Sequence, residues 1–355
     1  MTRKKTNKQL QFLSVMIKNS LQKIFLKLAF VFLLFIMLAG SCNKDPSVSG
    51  VTLTSDSLAL TLNTDETATL CATVFPKNAT CKIVKWSSSD TNVVVVNRGR
   101  VMAKQEGSAL ITVTTAICGY QAVCTVVVTT PHPAEPVLIK VEGGTFAMGC
   151  SDGDCYKDGS ELPVHAVTVN SFKIAQYPIT QKQWATIMGN SYCYFHGDNL
   201  PVDYVSWNAA MEFIQKLNKI TGKSYRLPTE AEWEFAARGG NKSKGYKYSG
   251  SNSIDRVAWY KENSKKTTHP IGTKKSNELG IFDMSGNVWE CCSDWYGVYS
   301  DKPQINPVGT SQGKERVARG GSCFSGAIDP RVSSRVKCAP NVPYLGMGLR
   351  LVLPN

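Results

Sequence analysis

LGIFDMSGNVWECCSDWYG, running from Leu279 to Gly297, fits neither the period of a helix nor that of a strand. It holds two Trp, the adjacent Cys291 and Cys292, and Gly at 280, 286 and 297, so it reads as a folded loop with aromatic anchors. Asp283 and Glu290 flank the turn Ser285-Gly286-Asn287. Two carboxylates with the carbonyls of Gly286 and Val288 between them form the oxygen set that a hard cation such as Ca²⁺ takes. The competing reading makes Trp289 and Trp295 core and leaves the acids solvated.

Helix signals precede this stretch. Thr180 stands as an N-cap before QKQWATIM, and Ser206 before WNAAMEFIQKLNKITG. In the second segment Ala210, Phe213, Ile214, Leu217 and Ile220 make one apolar face, and Gly222 ends it. Thr229 and Glu232 form a capping box that opens a third helix, closed by Gly239. Lys140 to Met148 reads as a strand with a Gly-Gly turn, and Cys150 to Gly159 as a polar loop. From Tyr246 onward the elements are short strands and long loops. Helices confined to the earlier part argue an α+β fold for residues 138–355.

The first half differs. Between Ser47 and Thr130, short β-rich runs recur with Asn, Asp, Gly and Pro between them, the pattern of an antiparallel sandwich with Trp86 at its centre. It has no His and no clustered carboxylates, which excludes catalysis there. Residues 50–130 are therefore assigned to one all-β domain. Residues 131–137, starting PHPAEP, are read as an extended, stiff linker.

The formal net charge is +13, but Arg3, Lys4, Lys5, Lys8, Lys18, Lys23 and Lys27 all precede Cys42 with no acid among them. The remaining +6 is scattered among acids, with no stripe to neutralise phosphates, so a nucleic-acid partner is excluded. Residues 1–41 read as an export signal: a basic start, an apolar run from Leu28 to Ala39 too short to span a bilayer, then small residues. Ala39-Gly40-Ser41-Cys42 resembles a bacterial lipobox, which implies lipidation of Cys42, a tether over 42–49 and a membrane partner through the lipid. The expected place is the outer membrane, facing the cell exterior. The chain has 12 cysteines. Export makes disulfides the default, and Cys150 and Cys155 enclose a loop able to close locally.

Two resemblances follow from longer matches. NATCKIVKWSSSDTNVVVVNRGRVMAKQEGSALITVTT, with CTVVV after it, resembles the group 2 bacterial immunoglobulin-like domain, a spacer or adhesion module. GGTFAMG at 143–149, YRLPTEAEWEFAARGG at 225–240, FDMSGNVWE at 282–290, RVARGGS at 316–322 and GLRLV at 348–352 resemble, in this order, the formylglycine-generating enzyme or sulfatase-modifying factor family. That resemblance implies an α+β C-type-lectin-like fold with little regular structure. It implies oxidation of a client Cys by copper held on two cysteines, and a structural Ca²⁺ on positions matching Asp283, Gly286, Val288 and Glu290.

The copper positions are altered. The first falls on Ser325, and no Cys occurs between it and Arg331. A hydroxyl does not replace a thiolate as a ligand for Cu(I), so copper is not expected. Trp289, Ser322 and Arg335 match supporting positions, and with Ser325 they are the remnants of the family's catalytic set. His132, His165, His196 and His269 are isolated in sequence and spell no metal or triad motif.

Two functions remain. In the first, a non-catalytic surface lipoprotein displays a lectin-like domain to an extracellular glycan or protein, with Cys323, Phe324, Ser325, Ile328, Asp329, Lys337, Asn341 and Tyr344 as ligand-binding residues. Its C-terminal segment ends at Gly348-Leu349-Arg350, where diversified receptors with this fold end. In the second, the chain is an oxidase of the formylglycine-generating type acting on exported proteins. Cys291 and Cys323 stand where relatives carry aromatics, and a disulfide between them is expected.

Overall fold

Strict alternation of buried and exposed residues builds the first half of the chain. The computed structural model describes residues 48–62, 66–150, 153, 155–190 and 193–354. The basic leader, the apolar run and Cys42 lie outside the described residues. Two units divide between Thr130 and Pro131. The first contains β1 (Gly50–Leu53), β2 (Ser57–Thr61), β3 (Thr67–Thr69), β4 (Ala72–Phe75), β5 (Val84–Ser88), β6 (Val94–Asn97), β7 (Arg100–Ala103), β8 (Gly107–Thr115) and β9 (Gln121–Thr129). Its largest sheet has the order β2-β9-β8-β5, facing β3-β7-β6 and the pair β1-β4.

β8 and β9 run antiparallel from Gly107↔Val128 to Thr114↔Gln121. Ala109, Ile111 and Val113 from β8, with Cys124, Val126 and Val128 from β9, are buried. A two-residue period places them on one face. Trp86 is half-buried and packs against two apolar clusters. Gly99 turns β6 into β7 at φ +82°, where a Cβ would lie 2.2 Å from the Leu70 carbonyl oxygen.

The second unit begins with a correction. PHPAEP is not an extended spacer: the Glu135 N–H returns to the His132 carbonyl at 2.7 Å. Ala134 is fully buried, and the Glu135 carboxylate takes the Tyr225 hydroxyl at 2.7 Å and the Lys223 ammonium. Proline fixes φ but leaves the turn free to form, and these contacts dock it.

Six short strands and three helices of eight residues or more, with a single helical turn at Ile254–Val257, lead up to the central loop and sheet of this unit or return to them. They are β10 (Leu138–Val141), β11 (Gly144–Met148), β12 (His165–Val169), β13 (Phe172–Ala175), α1 (Gln181–Met188), α2 (Trp207–Thr221), α3 (Glu230–Ala237), and later β15 (Gln304–Ile305) and β19 (Val352–Pro354). Gly143-Gly144 joins two different sheets, not two arms of a hairpin. β10 pairs with β13 in the order β10-β13-β19, and β11 pairs with β12 in the order β11-β12-β15. A Cβ at Gly143 would come within 2.6 Å of the Val169 carbonyl oxygen, so the close crossing needs glycine.

Each helix begins at the residue its sequence signals. Thr180 and Thr229 make full capping boxes, and the Ser206 side chain accepts the Ala209 N–H. α2 buries Ala210, Phe213, Ile214 and Leu217, but Ile220 is 54% exposed because the last turn runs beyond the sheet it packs on. α3 buries every residue but Glu232, and two of the buried ones are acids. Glu234 pairs with Arg319 and Arg238, and Glu230 with Arg335. A buried carboxylate is retained only with such partners.

The third sheet of this unit has the order β17 (Arg335–Cys338), β16 (Arg316–Arg319), β14 (Trp289–Trp295), β18 (Met347–Gly348). The loops before β14 and between β16 and β17 carry the site. Among the described residues no helix is long and apolar enough to cross a membrane.

Candidate functional site

The turn that leads into β14 is held by buried polar groups. Asp283 and Asn287 have φ +57° and +68°, and Gly286 has φ +82°. A Cβ at Gly286 would sit 2.4 Å from the Trp259 carbonyl oxygen. Glu290 is fully buried. The Arg350 Nη2 donates to its Oε1 at 2.8 Å and Nε to its Oε2 at 2.9 Å, while the Trp233 indole N–H donates to Oε2 at 2.7 Å. The Asp283 Oδ2 accepts the Gly272 N–H at 2.7 Å, and burial raises its carboxyl to about 6.

These residues do not fit the calcium site the sequence suggests. Glu290 is already neutralised by Arg350, and both its oxygens are engaged. The Gly286 carbonyl accepts the Val288 N–H at 2.9 Å. A cation here would have to displace a guanidinium that also holds the Ala175 and Phe282 carbonyls at 2.7 Å each.

After β16 the chain turns at Gly320 and Gly321, both at positive φ, and presents Ser322 to Ser325. The Ser322 N–H donates to the Ser325 hydroxyl at 3.0 Å, and the two hydroxyl oxygens are 3.4 Å apart. The Ser325 hydroxyl, on the first of the copper positions, is no soft donor, and no Cys follows it before Arg331, so the copper chemistry implied by the resemblance has no thiolate pair here. Arg335 does not join these serines. It is spent on Glu230 and on the carbonyls of Ser160 and Gly297. Trp289 is half-buried, its backbone N–H on the Gly346 carbonyl at 2.8 Å.

The expected Cys291–Cys323 disulfide is also corrected: both residues are thiols. Cys291 lies opposite Ala318 of β16, and its thiol donates to Cys338 on β17. Cys338 stands opposite Arg316 of the middle strand, and Cys291, Ala318 and Cys338 share one buried cluster. Cys323 lies beyond the glycine turn, its N–H on the Asn287 carbonyl at 2.9 Å. Burial and the nearby Asp203 charge raise its thiol to about 12. The disulfide that does form is Cys150–Cys155. Next to it, Glu161 receives Arg331 at 2.9 Å and Tyr156 binds Asp329, so this loop holds the 328–331 segment.

Aromatic side chains surround the serine pair. The Tyr194 N–H donates to Asp203 Oδ1 at 3.1 Å, drawing residues 194–195 against 203–204. The Tyr194 ring meets Phe195 edge-on at 5.1 Å, and Phe195 stacks on Phe324 at 6.1 Å. Gly346 lies against the Phe324 ring, and Met347 receives the Val205 N–H at 3.1 Å, which brings Tyr344 and Leu345 toward Tyr204. Tyr194 is 65% exposed, Tyr204 46%, Leu345 39% and Tyr344 38%. Tyr204 is held at φ +60°, a conformation that a bulky residue rarely adopts.

Of the ligand-binding residues read from the sequence, Phe324 and Tyr344 belong to this face. Cys323 and Ser325 are buried beneath it. Ile328 is exposed and Asp329 is bound to Tyr156 on the side of the disulfide loop. Asn341 is exposed in the loop before Tyr344, and Lys337 sits on β17 with Glu315 at 3.3 Å. Sequence reasoning missed Tyr194, Phe195 and Tyr204. The signal was the aromatic run SYCYFHGDN, too polar for a strand and too rich in rings for an ordinary loop.

Residues 124–354 match the sulfatase-modifying factor enzyme 1-like domain, and residues 47–126 the group 2 bacterial Ig-like domain. The chain is 34% identical over 265 residues to the chaperone protein LppX of Paenibacillus barcinonensis, covering 61% of this chain and 88% of that protein. It is 28% identical to the formylglycine-generating enzyme of Streptomyces coelicolor, over 60% of this chain and 87% of the enzyme. Its fold is similar to that of Treponema denticola variable protein 1, with a TM-score of 0.56 and 26% identity, over 68% of this chain and 98% of that one.

Proposed function

Because this chain belongs to the sulfatase-modifying factor enzyme 1-like family, with a group 2 bacterial Ig-like domain ahead of that domain, we propose that it is a lipid-anchored surface protein whose family domain binds a ligand without catalysis. The observation that carries this reading is the group of exposed Tyr194, Tyr204, Tyr344 and Leu345 with half-buried Phe195 and Phe324, beside Ser325, which falls where the resemblance places the first copper cysteine of the family's enzymes. Rigid tyrosines supply contact area at small entropic cost, the property that makes them common in binding loops. A contiguous exposed apolar patch marks an interaction site more often than a chance of the surface.

The ligand on this reading is an extracellular glycan or protein, presented on a lectin-like scaffold. The likeness to a variable protein and to a chaperone agrees with binding as the common task of such domains. Ala39-Gly40-Ser41-Cys42 supports lipid anchoring, with the Ig-like unit as spacer and the outer membrane as location.

The full-length protein in detergent micelles, applied to glycan and protein arrays, tests this. Tyr194→Ala with Tyr204→Ala is expected to weaken the strongest signal at least about tenfold, as for central aromatic residues of an interface. Copper-dependent oxygen consumption with a Cys-containing sulfatase peptide would instead establish the oxidase reading.

A further inference from the structure

One border of the aromatic face is made of lysines. The Lys261 N–H donates to the Ser325 carbonyl at 3.0 Å, and the Ser264 hydroxyl donates to the Cys323 carbonyl at 2.6 Å, so residues 261–266 lie along the loop that carries Phe324. Lys265 and Lys266 follow one another at φ +56° and +57°. Two consecutive side-chain-bearing residues in the left-handed region are disfavoured, and here buried Ser264 holds them by also accepting the Lys266 N–H at 3.0 Å. Lys261, Lys265 and Lys266 are all exposed, and none has a carboxylate partner among the described residues. Asp203 is buried and Asp329 is bound to Tyr156, which leaves Glu262 beside the lysines and Asp198 in the loop of Tyr194 as exposed acids, against three exposed lysines.

We infer that the ligand of the aromatic face is an anionic saccharide, whose carboxylate or sulfate groups meet Lys261, Lys265 and Lys266 while its rings lie on Tyr194, Tyr204 and Phe324. The inference rests on the reading of that face as a binding site. Charge complementarity sets the sign of the ligand, and the strained lysine pair sets where its charge must lie. Flat, exposed tyrosines stack on sugar C–H faces and reach hydroxyls with their own. An acidic peptide bound as an added strand would need an open strand edge. β18 offers none: its far side is closed by the Val205 N–H on Met347 and by the Val202 carbonyl against Gly348.

The experiment measures binding of the full-length protein in micelles to immobilised polygalacturonate, hyaluronan, heparin, chondroitin sulfate, neutral dextran and poly-glutamate. Lys265→Asn with Lys266→Asn removes both charges and keeps side chains that tolerate the left-handed region. Expected is binding to at least one anionic saccharide that falls as NaCl rises, at least about tenfold weaker in the double Asn variant and in Tyr194→Ala with Tyr204→Ala. The carboxylated and sulfated arms tell the two anion sources apart. Absence of binding to every anionic saccharide, stronger binding to poly-glutamate, or equal binding by the Asn variant overturns the inference. If the Asn variant binds normally and the Tyr variant does not, the aromatic face stands as a site for an uncharged ligand. If the Tyr variant binds as well as wild type, the site itself is lost.

Discussion

Arg350 and Glu290 close on each other with neither side chain exposed, the Nη2 of one 2.8 Å from the Oε1 of the other. Arg350 comes from the last turn before the C-terminal strand and Glu290 from the start of β14, so this pair ties the end of the chain to the central loop. Removing one partner leaves the other charged and buried. Glu290→Ala is expected to destabilise the second unit by about 3–5 kcal/mol, and denaturant unfolding checks it. A loss below about 1 kcal/mol would mean that the pair is open to water.

The same pair yields a prediction about calcium. With Glu290 saturated by Arg350 and Trp233, thermal unfolding is expected to be unchanged by millimolar CaCl₂ or by a chelator. A ligand that binds only the folded state at 100 times its Kd would add about 2.7 kcal/mol. A rise of several degrees with CaCl₂ would show that Arg350 yields its place to the ion.

Stability should depend on pH through Asp294 and Asp283. Burial raises Asp294 to about 7, with the charge of Glu230 adding to it, and Asp283 to about 6. Both lie above the roughly 3.9 of an unfolded Asp. The folded state therefore holds more protons than the unfolded one across this window, so stability is greatest below about pH 4 for these groups and falls as pH rises toward 7. Asp294→Asn, which keeps an acceptor for the Glu230 N–H, should flatten that slope, as read by denaturant titrations from pH 4 to 8. An unchanged slope would assign the dependence elsewhere.

Thiol labelling checks the corrected cysteine map. Cys291, Cys292 and Cys323 are fully buried; the hydrogen bond to Cys338 and then burial raise the Cys291 thiol, and burial raises the other two. Native maleimide labelling should modify exposed Cys71 and spare these three until the protein unfolds. A non-reducing peptide map should show Cys150 with Cys155. A peptide joining Cys291 to Cys323 would contradict the strand register described above.

Much of the architecture was legible because its signals are local. Thr180, Ser206 and Thr229 cap the helices they announce, and Gly222 ends α2. The β8 and β9 alternation follows from a two-residue period. The linker was misread because proline content reports φ, not whether Glu135 finds Tyr225 and Lys223 some ninety residues later. Lys140 to Met148 was misread because Gly-Gly reports a bend but not which strands its arms will join.

The site divides in the same way. Absence of a cysteine at Ser325 is a chemical fact of one position, and the sequence determined it. The sequence likewise determined the two-part organisation and the family to which the second part belongs, since ordered motifs survive in any fold that needs them. Only the tertiary structure decided that Glu290 in the turn from Leu279 to Gly297 faces Arg350, that the Cys291 thiol meets Cys338, and that Phe195 stacks on Phe324 while the Tyr194 N–H holds Asp203. Each of these is a partnership between residues far apart in the chain, fixed by strand register and loop packing that no local pattern encodes.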